Sequence, residues 1–252
     1  MIRVIMHGCD GRMGQVITGL IAQQDGMEIV AGVDVSDRVK NEYPVFKSLK
    51  ECSIEADVVI DFASAKAVDG LLDDCAAKGL PCVLCTTGLS EEQIAHVQRT
   101  AEKVAILRSA NMSLGINLLL KLVREAAATL ADAGFDMEIV EKHHNQKLDA
   151  PSGTALALAD AVNEAAGGGY AYVYDRTGRR EKRPAKEIGI SSVRGGTIVG
   201  DHDVIFAGTD EVLTFSHTAY SRAVFAKGAI QAARFLWNKS AGLYDMNDVI
   251  EG

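Results

Sequence analysis

The chain has 252 residues, enough for one large domain or two modest ones, and its 48% hydrophobic content allows a sizeable core. Its formal net charge is −8 and it has no long basic run, which argues against a nucleic-acid partner. No apolar run approaches the roughly 20 residues that span a bilayer. The apolar stretch before the first glycine is too short for a signal peptide, so we expect a cytoplasmic protein with no membrane partner.

Short apolar runs alternate with helical patterns through the first part of the chain. Compact apolar runs predict strands over Ile2–Met6, Met27–Val33, Asp57–Asp61, Pro81–Cys85 and Val104–Leu107. Helical spacing predicts helices after Gly14, over Ala65–Lys78, and from a capping box at Ser90 to about Lys103. The polar segment Ser36–Lys50 has no clear periodicity. This alternation predicts an α/β fold with a Rossmann-like, doubly wound parallel sheet.

The rhythm changes after residue 113. Helices are predicted over Ile116–Leu130, Gly153–Ala165 and Ala223–Trp237, and strands over Met137–Glu141, Ile188–Val193, Val204–Phe206 and Val212–His217. The segment Tyr170–Lys186 carries six basic residues, and we interpret it as a mobile loop with a solvated charged face. Three strands without intervening helices predict an α+β domain over residues 114–219, with an open, mixed and mostly antiparallel sheet.

The five cysteines are scattered along the chain, and only Cys82 and Cys85 form a Cys-x-x-Cys pair. This pair lies inside a predicted strand, where side chains three residues apart point to opposite faces. No second pair completes a four-ligand zinc site. We therefore predict ordinary buried cysteines.

Three glycines, Gly8, Gly11 and Gly14, lie between the first predicted strand and the first predicted helix. Such a turn lets the backbone approach a pyrophosphate, and the helix N-terminus offers N–H groups to the negative charge. Asp34 ends the second strand, where its carboxylate can accept hydrogen bonds from the ribose of an adenosine. The pattern predicts a nicotinamide dinucleotide site; the alternative is a tight turn that binds nothing.

Asp34 also bears on the choice between NADH and NADPH. A carboxylate repels a 2′-phosphate unless a basic residue compensates, and the candidates near in sequence are Arg12, Arg38 and Lys40. We therefore predict that NADH is used at least as well as NADPH.

Two polar stretches follow later strands, Thr86-Thr87-Gly88 and Ser109-Ala110-Asn111-Met112-Ser113. Ligands of such sheets bind beyond the carboxyl ends of the strands, which favours contacts with the nicotinamide half of the cofactor. Caps for the next helices explain the same residues about equally well.

Residues 141–155 read EKHHNQKLDAPSGTA. At a strand end His143 and His144 point to opposite sides, and a histidine can exchange protons at cytosolic pH. Lys147 supplies a cation that can bind a carboxylate or donate a proton. The Pro151-Ser152-Gly153-Thr154 stretch starts a helix and can cradle a carboxylate. Together these residues predict an acidic substrate that accepts a hydride and a proton.

Taken singly, each histidine is more typical of a surface or core position than of catalysis. A metal site is the competing chemistry for this stretch. Adjacent histidines diverge, and the other four histidines have no ligand-like spacing to them, so no metal is predicted.

The stretch EKHHNQKLDAPSGTA resembles the signature of the 4-hydroxy-tetrahydrodipicolinate reductase family. GCDGRMG at 8–14, TTG at 86–88, ANMSLG at 110–115 and VRGGTIVGDH at 193–202 resemble the same family, so the resemblance covers essentially the whole chain. It implies reduction of (2S,4S)-4-hydroxy-2,3,4,5-tetrahydrodipicolinate to (S)-2,3,4,5-tetrahydrodipicolinate by NADH or NADPH, with loss of water, in the diaminopimelate route of lysine biosynthesis. It also implies a homotetramer joined through the sheet of the second domain.

By the same resemblance, His143 is the proton donor and acceptor and Lys147 is the second proton donor. Substrate contacts, chiefly to carboxylates, are assigned to His144, Ser152, Gly153 and Thr154. Cofactor contacts are assigned to Gly8, Cys9, Asp10, Gly11, Arg12, Met13, Asp34, Cys85, Thr86, Thr87, Ser109, Ala110, Asn111 and Met112. The resemblance implies that residues 220–252 return to complete the dinucleotide-binding domain of residues 1–113, which leaves 114–219 for substrate binding and tetramerisation.

The chain departs from the family pattern at three places. Cys85 stands where glycine is common, Asp61-Phe62-Ala63 replaces the usual Asp-Phe-Thr, and Asp10 is unusual in the glycine turn. These departures concern cofactor contacts and not the reaction.

Two rival functions share this predicted architecture. One is another reductase, such as aspartate-semialdehyde or homoserine dehydrogenase; the former needs a catalytic cysteine beyond the cofactor domain, but the last cysteine is Cys85. The other is a regulator that senses NADH, which would need a DNA-binding module, and no basic helix-turn-helix pattern is present.

Overall fold

The computed structural model describes all residues from Met1 to Gly252. The chain divides into two compact units, one formed by Met1–Leu114 with Ala223–Gly252 and the other by Gly115–Arg222. None of its helices combines the length and the apolar character that crossing a membrane requires.

The structure has twelve strands and seven helices. In chain order the strands are β1 (Ile2–His7), β2 (Met27–Val33), β3 (Val45–Phe46), β4 (Val58–Asp61), β5 (Cys82–Leu84), β6 (Ala105–Arg108), β7 (Asp136–His143), β8 (Ala171–Val173), β9 (Glu187–Arg194), β10 (Gly200–Ala207), β11 (Val212–Ala219) and β12 (Gly242–Tyr244). The helices are α1 (Arg12–Ile21), α2 (Ala65–Lys78), α3 (Glu91–Ala101), α4 (Leu114–Leu130), α5 (Gly153–Ala165), α6 (Ala223–Leu236) and α7 (Met246–Glu251).

The first unit is built on a seven-stranded parallel sheet in the order β12-β6-β5-β4-β1-β2-β3. Helices cover both faces, so the central strands bury their side chains on either side and are continuous apolar runs in the sequence. The chain runs outward in one direction from β1 through β2 to β3, and in the other through β4, β5 and β6. This reversal beside β1 creates the crevice in which such sheets bind ligands, and the predicted doubly wound fold is confirmed.

The C-terminal segment belongs to this first unit. Helix α6 packs on α1 and on strands β4, β5 and β6, and its buried alanines share one hydrophobic cluster with the sheet. Gly228 allows the approach, because a Cβ there would lie 1.6 Å from the carbonyl oxygen of Met112. The short elements β12 and α7, and β3 within the polar segment Ser36–Lys50, were not predicted from the sequence.

The second unit contains a five-stranded sheet in the order β11-β10-β7-β9-β8. Strand β10 is antiparallel to β7 and β11, whereas β9 is parallel to β7 and β8. The sheet is therefore mixed as predicted, but the expectation of a mostly antiparallel sheet was wrong. The reason is that α5 crosses over from β7 to β8, a connection that joins parallel strands, and β9 then lies between them parallel to both.

The segment Tyr170–Lys186, predicted as a mobile loop with a solvated charged face, is irregular apart from one short strand, and only half of its basic residues face the solvent. The strand is β8; Arg180, Lys182 and Lys186 are exposed, whereas the other three arginines turn toward carboxylates of the sheet. Arg176 and Arg183 both bind Glu138, and Arg179 forms a two-pronged pair with the buried Glu187. A charge run that looks solvated in the sequence thus neutralises acidic side chains from distant positions.

All five cysteines are free and buried, as predicted. Cys82 is completely buried within β5 and Cys85 follows at the strand end, where burial raises the pKa of its thiol. Neither side chain is therefore a ready nucleophile or metal ligand.

Candidate active site

The glycine turn after β1 has the geometry of a phosphate-binding loop. Gly8 adopts a φ of +81°, which favours glycine, and a Cβ there would lie 2.7 Å from the carbonyl oxygen of Phe62. A Cβ at Gly14 would lie 2.3 Å from the carbonyl oxygen of Gly8, so glycine is what lets α1 pack against the turn. No side chain caps α1 at Gly11, which leaves its first N–H groups for an anion.

Asp34 lies at the carboxyl end of β2 beside this turn. A cleft of about 460 Å³ is lined by Gly8, Gly11 and Asp34 together with the end of β1 and the β4–α2 turn. The Asp34 carboxylate accepts the backbone N–H of Asp10 at 3.0 Å and that of Ser36 at 2.9 Å. Each of its oxygens has lone-pair capacity left for a ribose hydroxyl. The arrangement fits a dinucleotide.

Asp10 points toward the loop after β2. Its carboxylate accepts hydrogen bonds from the Ser36 hydroxyl at 2.8 Å, the Asn41 amide at 2.9 Å and the Val39 N–H at 3.3 Å. Burial alone would raise the pKa of Asp10, but these donors outweigh it and hold the pKa below its ordinary value. Asp10 therefore organises the loop after β2, which accounts for an acidic residue in this glycine turn.

The structure adds a basic residue that the sequence analysis did not consider. Arg12, Arg38 and Lys40 are all exposed. Lys47 is also exposed, but it lies in the wall of the cleft that contains Asp34, and its ammonium donates to the carbonyl oxygens of Val35 and Ser36 at 3.2 and 3.3 Å. The local sequence gave no sign of it, because β3 brings it back beside β2.

A buried polar cluster joins three strand ends of the first unit. Asp61, at the end of β4, is fully buried and lies 2.6 Å from His7 Nδ1. It also accepts the hydroxyl of Thr86 at 2.6 Å and the N–H of Ala63 at 3.1 Å. The Thr86 side chain is thus committed to holding the turn after β5, whereas Thr87 is exposed. His7 and Asp61 were not predicted as members of this site.

The remaining predicted cofactor residues have contrasting environments. Cys9 is completely buried beneath the glycine turn, and Met112 is buried where α6 approaches. Ala110 is exposed, and the Asn111 side chain accepts the N–H of Ser113 at 2.8 Å just before α4 begins. The contact between Asn111 and Ser113 is the kind that caps the start of a helix, which was the alternative to a cofactor contact in the sequence analysis.

In the second unit, strand β7 delivers His143 at its end. His143 is buried, and its Nδ1 lies 2.6 Å from Oε2 of the fully buried Glu141 two residues earlier, on the same face of the strand. Arg194 of β9 binds both carboxylate oxygens at 2.7 and 2.8 Å, and the N–H of Ser152 donates to Oε1 at 3.1 Å. Burial acts to raise the pKa of Glu141. Hydrogen bonds from Arg194, His143 and Ser192 outweigh this effect and lower the pKa to about 2.

A second buried histidine packs against His143. The ring of His202, from β10, lies edge-on to it with centroids 5.2 Å apart. Burial, and then the proximity of His143, lower the pKa of His202 to about 4, so its ring is neutral near pH 7. Its Nε2 lies 3.2 Å from the hydroxyl of Ser152, which also accepts the N–H of Ala155 as the cap of α5. Ser152 therefore joins His202 to the helix start.

The loop after β7 carries the predicted cation. The ammonium of Lys147 forms an ion pair with Asp149 at 2.8 Å, and the backbone N–H of Lys147 donates to the carbonyl oxygen of His144. His144 is half-buried and its Nδ1 has no hydrogen-bond partner. A Cβ at Gly153 would meet nothing within 4 Å, so the space beside the N-terminus of α5 is open. Open space, a helix N-terminus and an ammonium suit a carboxylate.

Sequence reasoning thus singled out His143, Lys147 and the helix start, but it missed the groups that hold them. Glu141 lies in the quoted stretch, and Arg194 and His202 lie in VRGGTIVGDH, which was used only as a resemblance. A buried carboxylate two residues before a histidine on one strand face was the available signal. The pairing with Arg194 depends on the register of β7 and β9 and has no local signature.

A doubly wound sheet with a glycine turn at an uncapped helix start, together with a second unit that carries buried histidines, a lysine and an open helix N-terminus, is the arrangement expected of a dinucleotide-dependent reductase of a small acidic substrate. Residues 2–112 match the family "Dihydrodipicolinate reductase, N-terminus", and residues 115–250 match "Dihydrodipicolinate reductase, C-terminus". The chain belongs to the dihydrodipicolinate reductase family. It is an NAD(P)H-dependent oxidoreductase of lysine biosynthesis.

Individual relatives agree along the whole chain. A 4-hydroxy-tetrahydrodipicolinate reductase of Caldanaerobacter subterraneus subsp. tengcongensis is 53% identical over 251 residues, covering 100% of this chain and 99% of the relative. The enzyme of the same name from Clostridium tetani is 46% identical, covering 98% and 96%. The solved structure of a dipicolinate-bound dihydrodipicolinate reductase from Paenisporosarcina sp. TG-14 is 29% identical, with a TM-score of 0.84 over 99% of both chains.

Proposed function

We propose that this chain reduces (2S,4S)-4-hydroxy-2,3,4,5-tetrahydrodipicolinate to (S)-2,3,4,5-tetrahydrodipicolinate with NADH or NADPH, with loss of water, and that His143 is its proton donor. The observation that carries the residue assignment is the short contact between His143 Nδ1 and the buried carboxylate of Glu141. It fixes one ring nitrogen and leaves the other for the substrate. The family relationship supports the reaction itself.

In this proposal the first unit is the dinucleotide-binding domain. The glycine turn and the N-terminus of α1 hold the pyrophosphate, and Asp34 accepts the adenosine ribose. The strand-end residues Cys85, Thr86, Thr87 and Ser109–Met112 lie along the nicotinamide half. When bound, the reduced nicotinamide supplies the hydride. The fit of the residues to this cofactor rests on the uncapped helix and on the two close backbone approaches that only glycine permits.

The second unit binds the dicarboxylate. Lys147 supplies a positive charge, and the N-terminus of α5 supplies backbone N–H groups and a helix dipole beside the open space at Gly153. His144, Ser152 and Thr154 complete the polar surroundings of the substrate. The ion pair between Lys147 and Asp149 holds the ammonium within the same loop.

Reduction of the substrate ring develops negative charge that a proton must meet. His143 delivers this proton from Nε2, because Nδ1 is held by Glu141. Lys147 is the second proton donor, and its charge also stabilises the developing anion. The neutral ring of His202 packs beside His143 without adding a competing positive charge.

We also propose that the enzyme is a homotetramer assembled through the sheet of the second unit, and that it acts in the cytoplasm. The edge strand β11 supports this surface, since Val212 and Leu213 are exposed there. An exposed apolar edge strand is a feature that soluble chains normally cover. Sedimentation equilibrium of the purified chain measures the assembly directly.

The decisive experiment couples the enzyme to dihydrodipicolinate synthase, with pyruvate and aspartate semialdehyde as feed, and follows NADH oxidation. His143→Ala and Lys147→Ala are each expected to lower kcat by on the order of 10²–10⁴-fold. Lys142→Ala is the matched control, because Lys142 is the neighbouring cation on the other face of β7 and pairs with Asp203. Wild-type turnover in both test variants would refute the assignment.

A further inference from the structure

Glu141 has an unusual position for a carboxylate. Its side chain is fully buried and is held by the Arg194 guanidinium, the Ser152 N–H, the Ser192 side chain and His143 Nδ1. Because a carboxylate with a pKa of about 2 is an acceptor only, the His143 nitrogen that faces it must carry the hydrogen. The neutral ring is then protonated on Nδ1, and Nε2 is the atom that can gain or lose a proton.

Arg194 does more than neutralise this carboxylate. One of its terminal nitrogens also donates to the carbonyl oxygen of Asp149 at 2.7 Å, within the loop that carries Lys147. The backbone of Gly195, the next residue, donates to the carbonyl oxygen of His143 at 2.9 Å. The end of β9 therefore ties together the strand that carries one proton donor and the loop that carries the other.

We propose that Glu141 and Arg194 are positioning residues for proton transfer: Glu141 selects the Nδ1-protonated ring of His143, and Arg194 balances the carboxylate and holds the loop of Lys147. This inference rests on the proposed function only in that His143 is taken as the proton donor. Glu141 is fully buried and the Arg194 guanidinium is engaged with its carboxylate and with the Asp149 carbonyl, so both act through the groups they hold.

The balance of charge around His143 supports this division of labour. The charged and titratable groups that face it are Glu141 on β7, Arg194 on β9, His202 on β10, and the Lys147–Asp149 pair in the loop. Glu141 with Arg194 sums to zero, as does Lys147 with Asp149, and His202 is neutral. The ring is thus oriented by a carboxylate whose charge is already offset by Arg194.

The test separates positioning from simple structural support. Glu141→Gln keeps the shape but lets an amide N–H face Nδ1, which favours the opposite tautomer; the same logic explains the severe effect of replacing the triad aspartate in serine proteases. We expect kcat to fall at least about 100-fold, with KM for the substrate within about twofold, because Glu141 binds protein groups only. The double variant Glu141→Gln/Arg194→Met removes both buried charges and should regain thermal stability but not kcat.

Glu138→Gln is the matched control. Glu138 lies on the same strand and is also paired with two arginines, Arg176 and Arg183, but it does not contact His143. This variant is expected to lose thermal stability while its kcat stays at the wild-type value. If the loss of kcat in Glu141→Gln were caused only by lower thermal stability, Glu138→Gln would lose kcat as well.

Nitrogen NMR of histidine-labelled protein supplies a readout that is independent of turnover. The His143 resonances, identified by their loss in His143→Asn, should show a protonated Nδ1 in the wild type and a shift toward the other tautomer in Glu141→Gln. An Nε2-protonated ring in the wild type, an unchanged tautomer in Glu141→Gln, or restored kcat in the double variant would overturn the proposal. Full kcat in His143→Ala would instead overturn the proposed function and leave the tautomer assignment standing.

Discussion

At the scale of single residues, the second unit concentrates its chemistry in a few side chains that several strands bring together. His143 comes from β7, Arg194 from β9 and His202 from β10, and each has a different electrostatic role. In the proposed mechanism His143 transfers the proton. The Arg194 guanidinium balances the charge of the Glu141 carboxylate that orients His143, and the neutral ring of His202 packs beside it without adding charge. Histidine is suited to such a site because small environmental effects decide whether it is charged near pH 7.

Gly200 offers a direct test of the access to His143. A Cβ there would lie 3.0 Å from Nε2 and 3.4 Å from Cδ2 of the His143 ring, closer than ordinary contact. Gly200→Ala should therefore crowd the proton-exchanging atom and lower kcat by on the order of 10-fold, equivalent to about 1.4 kcal/mol in the barrier. Steady-state kinetics measures it. Gly178→Ala, where a Cβ would meet nothing within 4 Å, is the control and should leave kcat unchanged.

Cofactor preference is also decided by single residues. The carboxylate of Asp34 repels a 2′-phosphate. The ammonium of Lys47, which could compensate, is already bound to the backbone carbonyls of Val35 and Ser36, in the loop that follows Asp34. We therefore expect kcat/KM for NADH to be at least equal to that for NADPH in steady-state kinetics. Asp34→Asn should raise the value for NADPH relative to NADH. A large NADPH preference in the wild type would contradict this expectation.

At the scale of elements, close backbone approaches decide how helices sit on the first sheet. Helix α1 packs onto the glycine turn only because Gly14 lacks a Cβ, and α6 approaches the end of β6 only because Gly228 does. Helix α5, in the second unit, is held differently: its cap Ser152 is bound through its N–H to Glu141 and through its hydroxyl to His202. The N-terminus of α5 is thus fixed to the same carboxylate that orients His143.

Gly228→Ala tests the importance of the α6 approach. The added Cβ would lie 1.6 Å from the carbonyl oxygen of Met112, a backbone atom that cannot rotate away, so α6 must shift. We expect the free energy of unfolding to fall by about 1–3 kcal/mol or more. Urea denaturation measures it. Gly19→Ala, on α1 with nothing within 4 Å, should instead stabilise by about 0.5–1 kcal/mol through helix propensity, and equal effects of the two changes would contradict the argument.

At the scale of the whole molecule, buried ionisable groups make the fold sensitive to acid. Burial lowers the pKa of His202 from 6.5 to about 4, whereas protein donors lower that of Glu141 from 4.5 to about 2. In both cases the unfolded chain takes up the proton at a higher pH than the folded chain does. The stabilisation is therefore complete above the unfolded value and is lost as the pH falls toward the folded value.

We expect the free energy of unfolding to decline in two stages. Between pH 6.5 and 4 the largest loss comes from His202 and amounts to at most about 3.5 kcal/mol, since one pH unit of displacement is worth about 1.4 kcal/mol, and His217, whose pKa burial also lowers, adds to it. Below pH 4.5 Glu141 adds to it. Urea unfolding at pH 7.5, 6 and 5 measures the first stage, which His202→Asn should flatten. An equal slope in the variant would show that other groups cause the decline.

The sequence by itself determined the fold class and much of the local structure. The strand Met27–Val33 and the helices Ala65–Lys78 and Gly153–Ala165 have the predicted bounds, and the capping box at Ser90 is present. These features depend on neighbours within a turn of helix or two residues of strand, so their periodicity and caps are visible in the chain itself. The glycine spacing and the HHxxK stretch are local in the same sense.

Tertiary structure alone decided which distant groups meet. Glu141 and Arg194 are 53 residues apart and pair because β7 and β9 lie side by side, and Lys47 reaches the cleft because β3 returns beside β2. The same holds for the arginines of Tyr170–Lys186, whose carboxylate partners the local sequence does not show. Burial makes an unpaired charge costly, and the partner that satisfies it is chosen by strand register and helix packing, which no short stretch of sequence records.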